Sequence, residues 1–97
     1  MIDWKEKALE DMDRIQEITN EKSGVDAAED ATIRITSAAN MLDKKMSGSR
    51  PGRLGIGERE KLVDIENKKA EFIIFYDDDK RGNITILAVK HHLEKTP

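Results

Sequence analysis

The spacing of the apolar residues changes character once along this chain, and the change falls at a basic turn, Arg50-Pro51-Gly52-Arg53. Ahead of the turn, apolar side chains recur every three or four residues. Beyond it lie two strand-like runs, Glu71 to Tyr76 and Ile84 to His91. A helical first half and an extended second half leave few ways to bury apolar surface. The helices must fold against each other and lie on a small sheet. The expected class is α+β: an antiparallel helical hairpin packed on a three-stranded antiparallel sheet, with residues 1–4 available as a short N-terminal strand.

Asp3 followed by Glu6 has the pattern of a capped helix start, and Asp26 followed by Glu29 repeats it. Trp4, Ala8, Met12 and Ile15 continue the first stripe. Ala28, Ala31, Ile35, Ala38, Leu42 and Met46 form the second. The spacing predicts helices over about 4–20 and 27–46, joined by a turn at Ser23-Gly24. Residues 47–57 hold four Gly and one Pro and read as a loop. Strands are expected at about 61–66, 70–76 and 84–91, within one domain spanning 1–97. In the last strand, simple alternation puts Ile84, Ile86 and Ala88 on one face and Thr85, Leu87 and Val89 on the other.

Phe72-Ile-Ile-Phe-Tyr76 is apolar without alternation. A strand apolar on both faces is normally covered on both. Two short helices cover one face, so the other calls for the C-terminal tail, a second copy of the chain or a partner segment. Phe72, Ile74 and Tyr76 are therefore candidate partner-binding residues.

The charge is unevenly placed. Residues 1–43 carry -6, residues 44–61 carry +4 and residues 62–97 carry -1, for a chain total of -3. The acidic total argues against broad nucleic-acid binding, while the local basic zone suits a phosphate group or an acidic partner. Arg50, Arg53, Arg59 and Lys61 are candidates for such a basic rim, since a guanidinium fork can hold a carboxylate or phosphate with two bonds. The competing reading is that Pro51 and Gly52 shape a loop and the arginines pair with acidic neighbours.

His91 and His92 are the only candidates for general acid–base chemistry. Adjacent strand residues face opposite ways, so the two rings cannot easily share an ion. There is no Cys, and a metal site or cofactor is not expected. A polar strand end is the simpler account of the pair. No apolar run is long enough for a membrane span, so a cytoplasmic protein is expected.

Taken in order, these residues resemble the RelE/ParE superfamily of bacterial toxins, and its ParE branch in particular. Trp4 and Ala8 open the first helix, Ala27-Ala28-Glu29 opens the second, and Ala38, Ala39 and Leu42 precede the loop. Gly48-Ser-Arg50-Pro51-Gly52-Arg53 is similar to that family's Gly-Arg-Pro-Gly-Arg loop. Gly57-Glu-Arg59-Glu60 with Leu62-Val63 resembles its strand entry, and Ile86 to His91 resembles Ile-Leu-Arg-Val-Leu-His. Ala88 stands where that strand has Arg, and Thr96 where the family ends in Trp-Pro.

The resemblance implies a toxin of a type II toxin–antitoxin module. It would act by binding DNA gyrase and be neutralised by a cognate antitoxin whose flexible segment folds onto it. An mRNA endonuclease of the RelE branch is the enzymatic alternative. For the branch that uses a strand Arg and a His-Tyr pair, this chain has Ile73 and Leu93 at the Arg and Tyr positions, with His92 at the His. A non-toxic interaction module that keeps the fold is the third reading.

Overall fold

A computed structural model describes residues 1–43, 50–52, 54–66 and 69–91. The elements are β1 (Ile2–Trp4), α1 (Glu6–Ser23), α2 (Val25–Asn40), β2 (Arg50–Pro51), β3 (Arg59–Glu66), β4 (Lys69–Asp78) and β5 (Ile84–His91). They build an α+β fold in which two helices pack on a sheet of order β1-β5-β4-β3-β2.

The sheet is five-stranded and mixed, which corrects the expected three antiparallel strands. The central meander β3-β4-β5 is antiparallel, but each end gains a short strand. The N-terminal segment runs parallel to β5, with Ile2 opposite Ile84 and Trp4 opposite Ile86. At the other edge Arg50 and Pro51 leave the expected loop and pair with Glu60 and Arg59. Pro51 is tolerated there because a two-residue edge strand needs few backbone donors.

The helix boundaries also move. Asp3 lies in β1, so α1 starts after Lys5, and no side chain caps it. The second expected cap, Asp26, sits inside α2, which begins at Val25 and ends at Asn40, well short of residue 46. Met46 lies outside the described residues. The turn between the helices shrinks to Gly24 alone. Its φ of 93° and ψ of 172° fall in a region that residues with a Cβ avoid. Its amide donates to the Asn20 carbonyl as α1 ends, and its carbonyl accepts from the Ala28 amide as α2 begins. One residue thus closes one helix and opens the next.

The core lies between helices and sheet. Ala8 and Ile15 of α1 and Ala31, Ile35 and Ala39 of α2 meet Val63, Phe72, Ile74, Tyr76, Ile84, Ile86 and Val89. Ile2, Trp4 and Met12 close its margin. The alanines let the two helices approach each other and the sheet closely, as small residues on the stripe predict.

Alternation along β5 is broken. Tyr76 is opposite Ile86 and Phe75 is opposite Ala88, so Leu87 is an extra residue, a β-bulge. The bulge turns the second half of the strand over. Val89 joins Ile84 and Ile86 in the core, and Ala88 moves to the helix-free face, reversing the simple assignment.

A buried carboxylate fixes this bulge to the helices. Asp11 of α1 is fully buried, and its Oδ2 accepts the Val89 amide at 3.0 Å. Its Oδ1 accepts Lys7 Nζ at 2.8 Å and Arg14 Nη1 at 2.6 Å. Burial pushes the Asp11 carboxyl pKa up. The bonds from Lys7, Arg14 and the Val89 amide, together with the Lys7 charge, outweigh that and hold it below its ordinary value.

Candidate interaction surface

Cross-strand partners share a sheet face, so the registers sort the candidate residues. Pro51, Arg59 and Tyr76 lie in one row, Lys61, Ile74 and Val89 in the next, and Val63, Phe72 and His91 in a third. All three rows are on the helix side. Arg50, Glu60, Phe75 and Ala88 form a row on the opposite face, followed by Leu62, Ile73 and Lys90.

Phe72, Ile74 and Tyr76 are consequently core residues, at most 2% exposed, and offer no surface to a partner in this structure. The apolar run does supply both faces, but alternation sends these three inward. Ile73 and Phe75 point to the helix-free side. There Phe75 and Ala88 are already buried, at 1% and 6% exposure. What remains accessible is smaller than the composition of the strand suggested: the half-buried Leu62, Ile73 and Leu87.

The basic candidates are split by the sheet. Arg59 and Lys61 are half-buried on the helix side of β3. Arg50 is on the other side, and two of its guanidinium nitrogens, Nε at 3.1 Å and Nη2 at 2.9 Å, converge on Oε2 of the buried Glu60. Pairing with an acidic neighbour is therefore the better description of Arg50, although half of its side chain stays exposed. Arg53 lies outside the described residues.

The loop after β2 is organised by a second buried acid, Glu58. Its Oε2 accepts the Leu54 amide at 2.7 Å and its Oε1 accepts the Ile56 amide at 3.3 Å, while its backbone carbonyl accepts the Gly52 amide at 2.8 Å. A Cβ on Gly52 would collide with the Glu58 carboxylate, so this glycine is needed for close approach and not only for turning. Burial pushes the Glu58 pKa up. The bonds from the Leu54, Glu58 and Ile56 amides dominate and lower it.

His91 is half-buried on the helix side, edge-on to Phe72 with ring centroids 5.4 Å apart. Arg34 of α2 caps the same ring from 5.9 Å and donates to Glu71 at 3.1 Å. This group stitches α2 to the end of β4 and β5. His92 and Thr96 lie outside the described residues. Among the described residues, no group of three or more His, Cys, Asp or Glu could hold a metal ion, and no helix is long and apolar enough to cross a membrane.

Sequence reasoning missed Asp11, Glu58 and Glu60, the three buried acids. Asp11 has Lys7 four residues before it and Arg14 three after, the pattern of an exposed helical ion pair. Glu58 and Glu60 sit in a basic segment where carboxylates look like surface counter-charges. Only the tertiary contacts distinguish them.

A search of curated proteins gives no match. A solved chain from the "Chromosomal ParDE TA system from P. aeruginosa" has the same fold, with a TM-score of 0.75 at 20% identity, covering 93% of this chain and 92% of that one. A family model described as "ParE toxin of type II toxin-antitoxin system, parDE" matches residues 2–96, which include both helices, the basic edge and all five strands. With that match running nearly end to end, the chain belongs to the ParE toxin family of type II toxin–antitoxin systems.

Proposed function

We propose that this toxin acts in the cytoplasm by docking, with DNA gyrase as its target, and that a cognate antitoxin neutralises it by covering the helix-free face of the sheet and the β3 edge beside it. The observation that carries this reading is the uneven cover of the sheet. The two helices lie on one face only, and the other keeps Leu62, Ile73 and Leu87 partly exposed. At the adjoining edge β2 pairs only with Arg59 and Glu60, while β3 runs on to Glu66. Among the described residues, positions 61–66 have β4 as their sole strand neighbour. Backbone groups along such an edge can pair with an added strand, and the apolar side chains beside it supply specificity pockets.

Arg59 and Lys61 support the same assignment, since they can meet an acidic antitoxin segment and steer it to the edge. A second copy of this chain is the competing occupant. Light scattering at micromolar concentration separates the two: a monomer that forms a defined complex with the neighbouring gene product fits the antitoxin reading.

The functional test is induction of the chain alone and with that gene product. The expected result is growth arrest with DNA damage and intact mRNA, relieved by co-expression. Ribosome-phased mRNA cuts would replace the gyrase reading with the endonuclease one. Unimpaired growth would leave a non-toxic interaction module.

A further inference from the structure

The segment that leads into β3 is built around an anion. From Leu54 to Gly57 the backbone φ alternates in sign: Gly55 and Gly57 are at 80° and 84°, while Leu54 and Ile56 are negative. Such alternation turns amides toward one concave side and makes a nest for negative charge. The amides of Leu54 and Ile56 each take one oxygen of a single carboxylate, Oε2 at 2.7 Å and Oε1 at 3.3 Å. The Glu58 amide adds a third bond. The carboxylate is the chain's own, that of Glu58, 4% exposed.

Among the described residues, every donor to this carboxylate is a backbone amide, and no cation pairs with it. A site made of backbone donors reads charge and shape, so it suits any small two-oxygen anion.

Filling the nest also acts on β2. Gly52 follows β2 directly. Its amide donates to the Glu58 carbonyl at 2.8 Å, and its bare Cα lies against the Glu58 carboxylate, where a Cβ would collide with Oε2. Glu58 thus holds Gly52 through its backbone and its side chain together. β2 itself has two exposed residues, and Pro51 supplies no N–H. A pairing that short frays unless it is tied down.

We propose that residues 54–58 form an anion nest with Glu58 as its built-in ligand, and that occupancy of the nest keeps β2 on the edge of β3. When the nest is empty, the edge open to strand addition grows from positions 61–66 to 59–66. The nest stands on its own geometry; only this last consequence rests on the docking reading above.

The test follows hydrogen exchange of the purified full chain, with Glu58→Ala and Glu58→Gln, in sodium formate and in sodium chloride at equal ionic strength. In Glu58→Ala the Gly52, Leu54 and Ile56 amides exchange about ten-fold faster or more, while α1 and α2 keep their wild-type rates. Formate, a free two-oxygen anion, restores slow exchange at all three amides, and chloride does not. The wild type ignores formate because its nest is full. Glu58→Gln keeps the side-chain length but turns an NH2 group toward the donors, so it speeds the same amides and ignores formate. Equal effects of formate and chloride on Glu58→Ala refute the nest. A Gln variant that exchanges like the wild type refutes it too, however the Ala variant folds. Faster Leu54 and Ile56 amides beside an unchanged Gly52 refute the hold on β2. If all three amides respond as expected but Glu58→Ala binds the neighbouring gene product no better than the wild type, the nest stands and the strand-addition reading falls.

Discussion

Replacing Asp11 by Ala should destabilise this protein more than any other change to a charged residue of α1. The reason lies at the β5 bulge. With Leu87 inserted, the Val89 amide takes the Asp11 carboxylate as its partner at 3.0 Å, deep between α1 and the sheet. Truncation leaves a buried amide unsatisfied, which costs about 1–3 kcal/mol. Lys7 and Arg14 also lose their acceptor, but their side chains are 57% and 36% exposed and regain water. Their pairs add about 1 kcal/mol at most. The sum is about 1–4 kcal/mol, a fall in Tm of roughly 5–30 °C for a domain of this size. Asp11→Asn keeps a carbonyl oxygen for Val89 and should lose only about 1 kcal/mol.

Urea unfolding of the three proteins at pH 7 measures these differences. The acid limb supplies the second half of the test. The folded carboxyl titrates below its ordinary 3.8, so its contribution is complete above that pH and is lost as pH falls through the lower folded value. The gap between wild type and Asp11→Ala should narrow below about pH 4. An Ala variant within 0.5 kcal/mol of wild type, or a gap that holds constant down to pH 2, would refute the account; ~0.5 kcal/mol is the size expected of an ordinary surface change.

Other perturbations isolate other features. Gly24→Ala meets no neighbouring atom within 4 Å, so its cost is purely conformational, about 1–3 kcal/mol by thermal melting; an unchanged melt would mean that the single-residue hinge is not held at its positive φ. Gly52→Ala should disturb the Glu58 latch, and hydrogen exchange at the Leu54 and Ile56 amides should accelerate while α1 and α2 stay protected. Arg50→Ala removes two bonds from buried Glu60 and should cost about 1–2 kcal/mol by chemical denaturation, discounted for the exposure of Arg50. A charge-rim experiment is therefore cleaner at Lys61, where alanine should slow antitoxin association with little change in melting; an unaltered on-rate at low salt would remove it from the interface. Leu62→Asp with Ile73→Asp should abolish antitoxin binding in a chain that still folds, and calorimetry on the purified pair reads it directly.

Two features of the candidate surface show where local reading stops. Phe72, Ile74 and Tyr76 were conspicuous because they are large and apolar, yet those properties fit a core and a docking face equally well. Only the register of β4 against β5 sends them inward. Arg50 was conspicuous because it is basic and lies beside a Pro-Gly turn. Its partner Glu60 is ten residues away and reaches it only once β2 pairs with β3.

The order of elements, the two helical stripes and the basic zone follow from sequence because they depend on local spacing and composition. Ala8, Ile15, Ala31 and Ile35 fall on core faces for the same reason that any residues three or four apart share a side of a helix. The family resemblance is likewise carried by the order of short motifs along the chain. Tertiary structure alone decided the edge strand β2, the parallel pairing of β1 with β5, the inversion of β5 at Leu87, the burial of Asp11, Glu58 and Glu60, and the division of the cations between two faces. Several of these are fixed by hydrogen bonds between segments distant in sequence, such as Asp11 to Val89 and Met1 to Ile84. The free energy of an unsatisfied amide or carboxylate has no value until folding removes the water around it.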